Sequence, residues 1–269
     1  MLLGLSSYTY TWAVGVPGHS PPRPLSALDL VDRAASAGLS CVQIADNLPL
    51  ERLTAAEAET LRAHAAEQRV AIEVGSRGLT PERLAAHVER AVYYGSPILR
   101  FVIDGPGYEP TFDEVVGVIR EGLPQLRKAG VRLGLENHDR LEARTFREIV
   151  RATDEQQVGI CLDSVNSMGA GESLAEVVAT LAPLTINLHL KDFTIERVSH
   201  RMGFVVEGTP AGKGRLRIPW LLGEVSRHGR CQSAILELWT PPADSIEATI
   251  EREALWAEES LRFLKPLFA

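Results

Sequence analysis

The run Thr185–Phe193, TINLHLKDF, is of strand length, and its side chains alternate. Asn187, His189 and Lys191 share one face, and Leu188 and Leu190 share the other. A strand inside a parallel sheet is covered on both sides and is expected to be apolar throughout. Polar groups along one face therefore need a reason. A hydrogen-bonded strand terminus is one. A ligand set at the C-terminal mouth of a closed barrel is the other.

Seven further apolar runs resemble this one: Leu2–Trp12, Cys41–Asn47, Ala71–Ser76, Ile98–Asp104, Arg132–His138, Val158–Asp163 and Ala234–Trp239. Most begin about thirty residues after the previous one, the length of a strand–helix unit. The gaps read as helices. Leu25–Ala37 has Ser26 near its start and Gly38 past its end. Thr54 with Glu57, and Thr111 with Glu114, have the spacing of capping boxes. Thr80-Pro81 opens another helix. Pro124 predicts a kink or break in the helix over 111–129. The last helix, Ser245–Leu267, is expected to turn Ile246, Ile250, Ala254 and Trp256 inward. Eight alternating units without a change of composition predict an α/β fold, a single (β/α)8 TIM barrel over residues 1–269. A doubly wound sheet would want a glycine-rich turn directly after the first strand, and Gly15 and Gly18 come too late for one.

At 269 residues and 45% hydrophobic composition, the chain has enough material for a large core. A formal charge of -7 argues against nucleic acid as a partner. No run is long and apolar enough to suggest a membrane span. The N-terminal stretch has no basic residue before Arg23, unlike a signal peptide, and reads as strand and loop. Cys41, Cys161 and Cys231 are scattered, which suits a reducing, cytoplasmic location and forms no zinc-like cluster.

Four consecutive strands end in a carboxylate or imidazole: Glu136 in LGLENHD, Asp163 in GICLDS, His189 in NLHLKD and Glu237 in AILELW. Each sits among apolar neighbours, where an unpaired charge is costly. Three converging carboxylates repel one another unless a cation holds them, and a divalent metal solves that problem. Three carboxylates and one imidazole favour Mn²⁺ or Mg²⁺, with Co²⁺ or Zn²⁺ as further candidates. Around this centre, His138, Glu73, Tyr10, Trp12 and Trp239 are candidate substrate contacts. Lys191 is set either to bind an acidic substrate or to neutralise Asp192, and the second is favoured. The long connection Thr194–Leu216 is expected to cover the mouth and to contribute Arg197 or His200.

The combination LENH, CLD, HLKD and LEL resembles the xylose isomerase-like barrel superfamily along the whole chain. It is most similar to the sugar phosphate isomerase/epimerase group, which includes ketose 3-epimerases, hydroxypyruvate isomerase, inosose isomerase and inosose dehydratase. The resemblance implies one metal on Glu136, Asp163, His189 and Glu237. It implies that Glu136 and Glu237 are the acid/base pair of an enediolate mechanism. It also implies a small carbohydrate-like substrate and a homodimer or homotetramer. One departure is Asn166, which stands where the ketose 3-epimerases carry a substrate-contacting His. The metal centre carries over and ketohexose specificity does not. The expected activity is isomerase or epimerase. The alternative is a lyase, a dehydratase or decarboxylase of an oxo sugar acid, on the same site. An endonuclease IV-like DNA repair enzyme fits less well, because that site is His-rich and this chain has 7 His and an acidic balance. A non-catalytic binding barrel would not need two apposed glutamates.

Overall fold

Eight parallel strands close into a barrel in the computed structural model, which describes residues 1–269. They are β1 (Leu2–Ser6), β2 (Cys41–Ile44), β3 (Ala71–Arg77), β4 (Ile98–Val102), β5 (Arg132–Glu136), β6 (Val158–Asp163), β7 (Thr185–Leu190) and, last in the chain, β10 (Ser233–Leu236). Between β7 and β10 lie β8 (Asp192–Arg197) and β9 (Phe204–Thr209), an antiparallel hairpin outside the barrel. β10 pairs with both β7 and β1 and closes the ring.

The surrounding helices are α1 (Thr11–Val14), α2 (Ala27–Ser36), α3 (Ala55–Gln68), α4 (Pro81–Tyr94), α5 (Phe112–Ala129), α6 (Ala143–Ala152), α7 (Leu174–Leu181), α8 (Ile218–Ser226) and α9 (Ile246–Leu264). The capping boxes expected at Thr54–Glu57 and Thr111–Glu114 form, and Ser26 makes a third with Asp29. Each cap satisfies helix-end N–H groups that would otherwise go unpaired, worth about 0.5–2 kcal/mol. α5 does not break at Pro124. That residue lies on the exposed side of the helix. Val115, Ile119, Leu123 and Leu126 on the other side are buried and hold the helix together. Their combined burial outweighs the roughly 3 kcal/mol that an internal proline costs.

Two expectations need correction. The first strand ends at Ser6, and residues 7–10 turn as a short 3-10 helix before α1. Ser6 and Thr9 cap this turn reciprocally, so Tyr8, Tyr10 and Trp12 do not alternate along a strand. In α9 the fully buried line is Thr249, Glu253, Ala257 and Ser260; Ile250 and Trp256 pack against the core as expected but stay half-buried, and Ile246 and Ala254 are half-buried too. Glu253 turns inward because its carboxylate accepts the backbone N–H groups of Trp12 and Ala13 at 3.0 and 3.1 Å. Burial pushes its carboxyl up to about 7 against those two hydrogen bonds.

Asp192, at the start of the hairpin, gathers the turn that follows it. Its carboxylate accepts N–H groups from Phe193 (2.8 Å), Gly212 (2.9 Å), Gly214 (3.0 Å) and Leu216 (2.9 Å). Gly208 lies so close to Trp239 that a Cβ there would sit 1.8 Å from the Trp239 carbonyl oxygen. Only glycine lets the hairpin pass at that distance.

Candidate metal centre and active site

The strand register brings the four sequence-derived ligands together. Asp163 of β6 stands beside His189 of β7. Glu136 ends β5, and Glu237 follows β10, its N–H bonded to the Leu190 carbonyl at 3.1 Å. His189 Nδ1 lies 3.4 Å from Glu136 Oε2, 3.7 Å from Asp163 Oδ2 and 3.4 Å from Glu237 Oε1. All four side chains are buried. Alternation explains why they point inward while Leu188 and Leu190 face the helices.

The four differ in what else they touch. Both oxygens of Glu136 are occupied: Arg100 Nε donates to Oε2, and Asn166 Nδ2 donates to Oε1 at 2.9 Å. Asp163 Oδ1 accepts the N–H groups of Val165 and Asn166, each at 2.8 Å. By contrast His189 Nδ1 and Glu237 Oε1 are buried without a hydrogen-bond partner, and Asp163 Oδ2 and Glu237 Oε2 face only the Lys191 ammonium. Such atoms are rare in native proteins and call for an occupant. The Asp163, His189 and Glu237 donor atoms lie within 4.8 Å of one another. They fit a divalent cation, with Glu136 as a fourth side chain in reach, and the oxygen-rich set suits a hard ion. Cys161 Sγ is also within 4.8 Å of Glu136 and His189. Burial pushes its thiol well up and it donates to Asn187 Oδ1, so it stays a protonated neighbour.

Lys191 corrects the expectation that it neutralises Asp192. Its Nζ lies 2.8 Å from Asp163 Oδ2 and 2.9 Å from Glu237 Oε2. Asp192 is instead taken up by the N–H groups of Phe193 and of the turn over residues 212–216, which leaves Lys191 free to follow its strand face into the barrel. Burial alone would lower the Lys191 ammonium, but Asp163 and Glu237 outweigh it and raise it well above the usual range. Reciprocally, Lys191 and His189 outweigh burial and hold the Asp163 carboxyl far below the usual range. For Glu237, His189 and Lys191 likewise overcome burial and lower the carboxyl. Arg100, buried between Glu136 and Asp46, stays cationic because those two carboxylates overcome its desolvation.

Above these four side chains lies a cavity of about 400 Å³, lined among others by Tyr8, His138, Asn166, Lys191, Leu238 and Trp239. His138, Asn166 and Trp239 were expected here. Tyr10 and Trp12 are not among its lining residues. The Tyr10 ring packs under the Arg33 guanidinium at 4.2 Å, in a separate groove between α2 and α9. The Trp12 indole N–H donates to the Thr240 carbonyl at 2.8 Å, beside the hairpin. The helical turn after β1 rotates both away and presents Tyr8 instead, whose hydroxyl donates to Asp46 Oδ2 at 3.0 Å. Glu73 does not end its strand. It is the third residue of β3, buried inside the barrel. Arg197 and His200 do not line the cavity either. The hairpin holds Arg197 over the Phe204 ring at 4.4 Å, with Nη1 on the Arg201 carbonyl. His200 is exposed at the hairpin tip. Arg100, Gln43 and Lys191 are the site residues that sequence reasoning undervalued. Their signal was a polar residue in the middle of an apolar strand, as in CVQI and ILRFV.

Residues 31–267 match the family model described as the xylose isomerase-like TIM barrel. The chain belongs to this family. Within it, the chain is 31% identical over 264 residues to the 3-oxo-isoapionate decarboxylase of Pectobacterium atrosepticum, covering 98% of this chain and 95% of that protein. Among solved structures of this fold, D-psicose 3-epimerase from Clostridium cellulolyticum H10, crystallised with D-tagatose, has a TM-score of 0.71 at 15% identity. That match covers 98% of this chain and 97% of the other. A xylose isomerase-like TIM barrel protein from Mycobacterium smegmatis in complex with magnesium also has a TM-score of 0.71, at 14% identity over 97% of each chain. This family member is therefore similar, along nearly its whole length, to an enzyme that is a lyase. No helix of it is long and apolar enough to cross a membrane.

Proposed function

We propose that this protein is a metal-dependent decarboxylase of a 3-oxo sugar acid. The observation that carries this reading is the unequal state of the two glutamates. An epimerase working through an enediolate needs a free carboxylate on each face of the substrate carbon. Here Glu136 is hydrogen-bonded on both oxygens by Arg100 and Asn166, while Glu237 has only the Lys191 ammonium, 2.9 Å from Oε2, and keeps Oε1 without a hydrogen bond. Decarboxylation needs no second base. It needs an electron sink, a proton donor and a place for the acid.

The 31% identity to a 3-oxo-isoapionate decarboxylase supports the same choice. Asp163, His189 and Glu237, with Glu136, would hold the cation. When bound, a divalent ion supplies Lewis-acid charge for the oxo oxygen of the substrate. The chain's own residues do the rest. The bond between the carboxylate carbon and its neighbour breaks, and its electron pair passes into the oxo group as an enolate while carbon dioxide leaves. Lys191, a cation beneath the cavity, then gives one proton to the carbon and regains it from solvent. Tyr8, His138 and Trp239 wall in the polyhydroxy chain. Arg100 and Asn166 fix Glu136 so that it acts as a ligand and not as a base.

The test is incubation of the metal-loaded protein with a 3-oxo branched sugar acid in deuterated water. Release of carbon dioxide, with one deuterium on the carbon that lost it, is the expected result. An isomeric product that keeps every carbon refutes the decarboxylase reading and restores the isomerase one.

A further inference from the structure

Beneath these four side chains the barrel encloses a second polar cluster. It consists of Gln43 of β2, Glu73 of β3, Asn187 of β7 and Ser233 of β10, all buried. The Glu73 carboxylate accepts from Gln43 Nε2 and Asn187 Nδ2, each at 3.1 Å, and from the Ser233 hydroxyl. Gln43 Nε2 also donates to Asn187 Oδ1 at 3.0 Å, so the amide nitrogen of Gln43 is committed to this cluster. Its carbonyl Oε1 is thereby turned the other way, 2.7 Å from His189 Nε2. Turning the amide over would place its carbonyl against the Glu73 carboxylate and its N–H₂ against His189. That arrangement loses a charge-assisted bond, worth about 1.5–3 kcal/mol.

A carbonyl oxygen can only accept, so the nitrogen facing it must carry the proton. The other ring nitrogen, Nδ1, is then the one with the lone pair. It is the buried, unpartnered atom that faces Glu136, Asp163 and Glu237.

We propose that Glu73 is a positioning residue for the metal centre: acting through Gln43, it sets His189 as the Nε2–H tautomer and so presents Nδ1 as a ligand. This rests on the metal reading above and assigns Glu73 a task remote from the cation. An unassisted imidazole populates both tautomers, and only one of them is competent here. The buried carboxylate thus has a use besides filling the barrel.

The test uses the intact protein with its histidine nitrogens labelled. In the metal-free protein, at alkaline pH where the ring is neutral, His189 should show a pyrrole-type Nε2 and a pyridine-type Nδ1. In Glu73→Gln the side-chain amide can donate as well as accept. Gln43 can then turn over, and the resonances should move toward a mixture of tautomers. Divalent-ion affinity, measured by titration calorimetry, should fall about 10–100-fold. The swapped pair Gln43→Glu with Glu73→Gln again puts an acceptor against Nε2 and should recover both the tautomer and most of the affinity. An unchanged tautomer with unchanged affinity in Glu73→Gln overturns the proposal. Should that variant fail to fold, the wild-type spectrum decides, because a proton on Nδ1 refutes it outright. A wild-type protein that binds no divalent ion would sink the metal reading, while the tautomer measurements would still judge the positioning role.

Discussion

Replacing Lys191 with Met probes the charge balance of the mouth directly. The ammonium lies 2.8 Å from Asp163 Oδ2 and 2.9 Å from Glu237 Oε2, and its side chain is 16% exposed against 0% for both carboxylates. Methionine keeps most of the volume and removes the charge. Two carboxylates are then left buried with a shared His189 and a distant Arg100. Removing one partner of a buried ion pair costs about 3–5 kcal/mol, chiefly because the other partner is left uncompensated. The metal-free variant should therefore lose about that much unfolding free energy in a urea titration. A divalent ion supplies the missing positive charge, so it should bind the variant more tightly than the wild type. If it restores about 3 kcal/mol, the dissociation constant falls about 100-fold, since 1.4 kcal/mol is a factor of ten. Turnover should move the other way, down about 10²–10⁴-fold, the size of a general acid contribution. Urea denaturation with and without Mn²⁺, together with calorimetry, measures all of this. A metal-free variant as stable as wild type, or one that binds metal no better, would refute the idea that Lys191 stands in for cationic charge at this site.

Three further outcomes follow from the same geometry. Glu136→Gln should cost far less turnover than Glu237→Gln at saturating metal, because Glu136 is already occupied by Arg100 and Asn166; equal losses of about 10²–10⁴-fold, seen in steady-state kinetics, would favour a two-base isomerase. Asp192→Ala leaves the N–H groups of Phe193, Gly212, Gly214 and Leu216 without their acceptor, and should cost at least about 2–4 kcal/mol in a denaturant titration, with hydrogen exchange rising first at those amides. Glu253 has its folded carboxyl raised to about 7, above the 4.5 of a free glutamate, so its contribution is fully present below the lower value and is lost as pH rises through the higher one. Glu253→Gln should remove that loss, flattening the stability–pH curve between the two values by about 3 kcal/mol, and a curve as steep as wild type would show the titration to lie elsewhere.

The barrel and the four buried polar residues that converge at its mouth were legible in the amino-acid order because both depend on local periodicity. Alternation along each strand decides which side chains enter the barrel, and caps such as Thr54 with Glu57 mark where helices start. Polar residues at the ends of four successive apolar strands can converge only if the sheet closes, so Glu136, Asp163, His189 and Glu237 pointed to barrel and site together. What the sequence could not decide were partners distant along the chain. Lys191 and Asp192 are adjacent and opposite in charge, which suggests a pair. Only the fold brings back the turn over residues 212–216, whose N–H groups, with that of Phe193, claim Asp192 and leave Lys191 to Asp163 and Glu237. Tyr10 and Trp12 looked like strand residues until the Ser6–Thr9 cap turned the chain and brought Tyr8 to the mouth. Glu253 turns inward only because α1 offers it two N–H groups. A buried charge is tolerable only where a partner waits, and that partner is chosen by tertiary contact. The apolar pattern thus determines which residues are inside, while the three-dimensional arrangement decides which of the buried polar ones are satisfied and which are left to do chemistry.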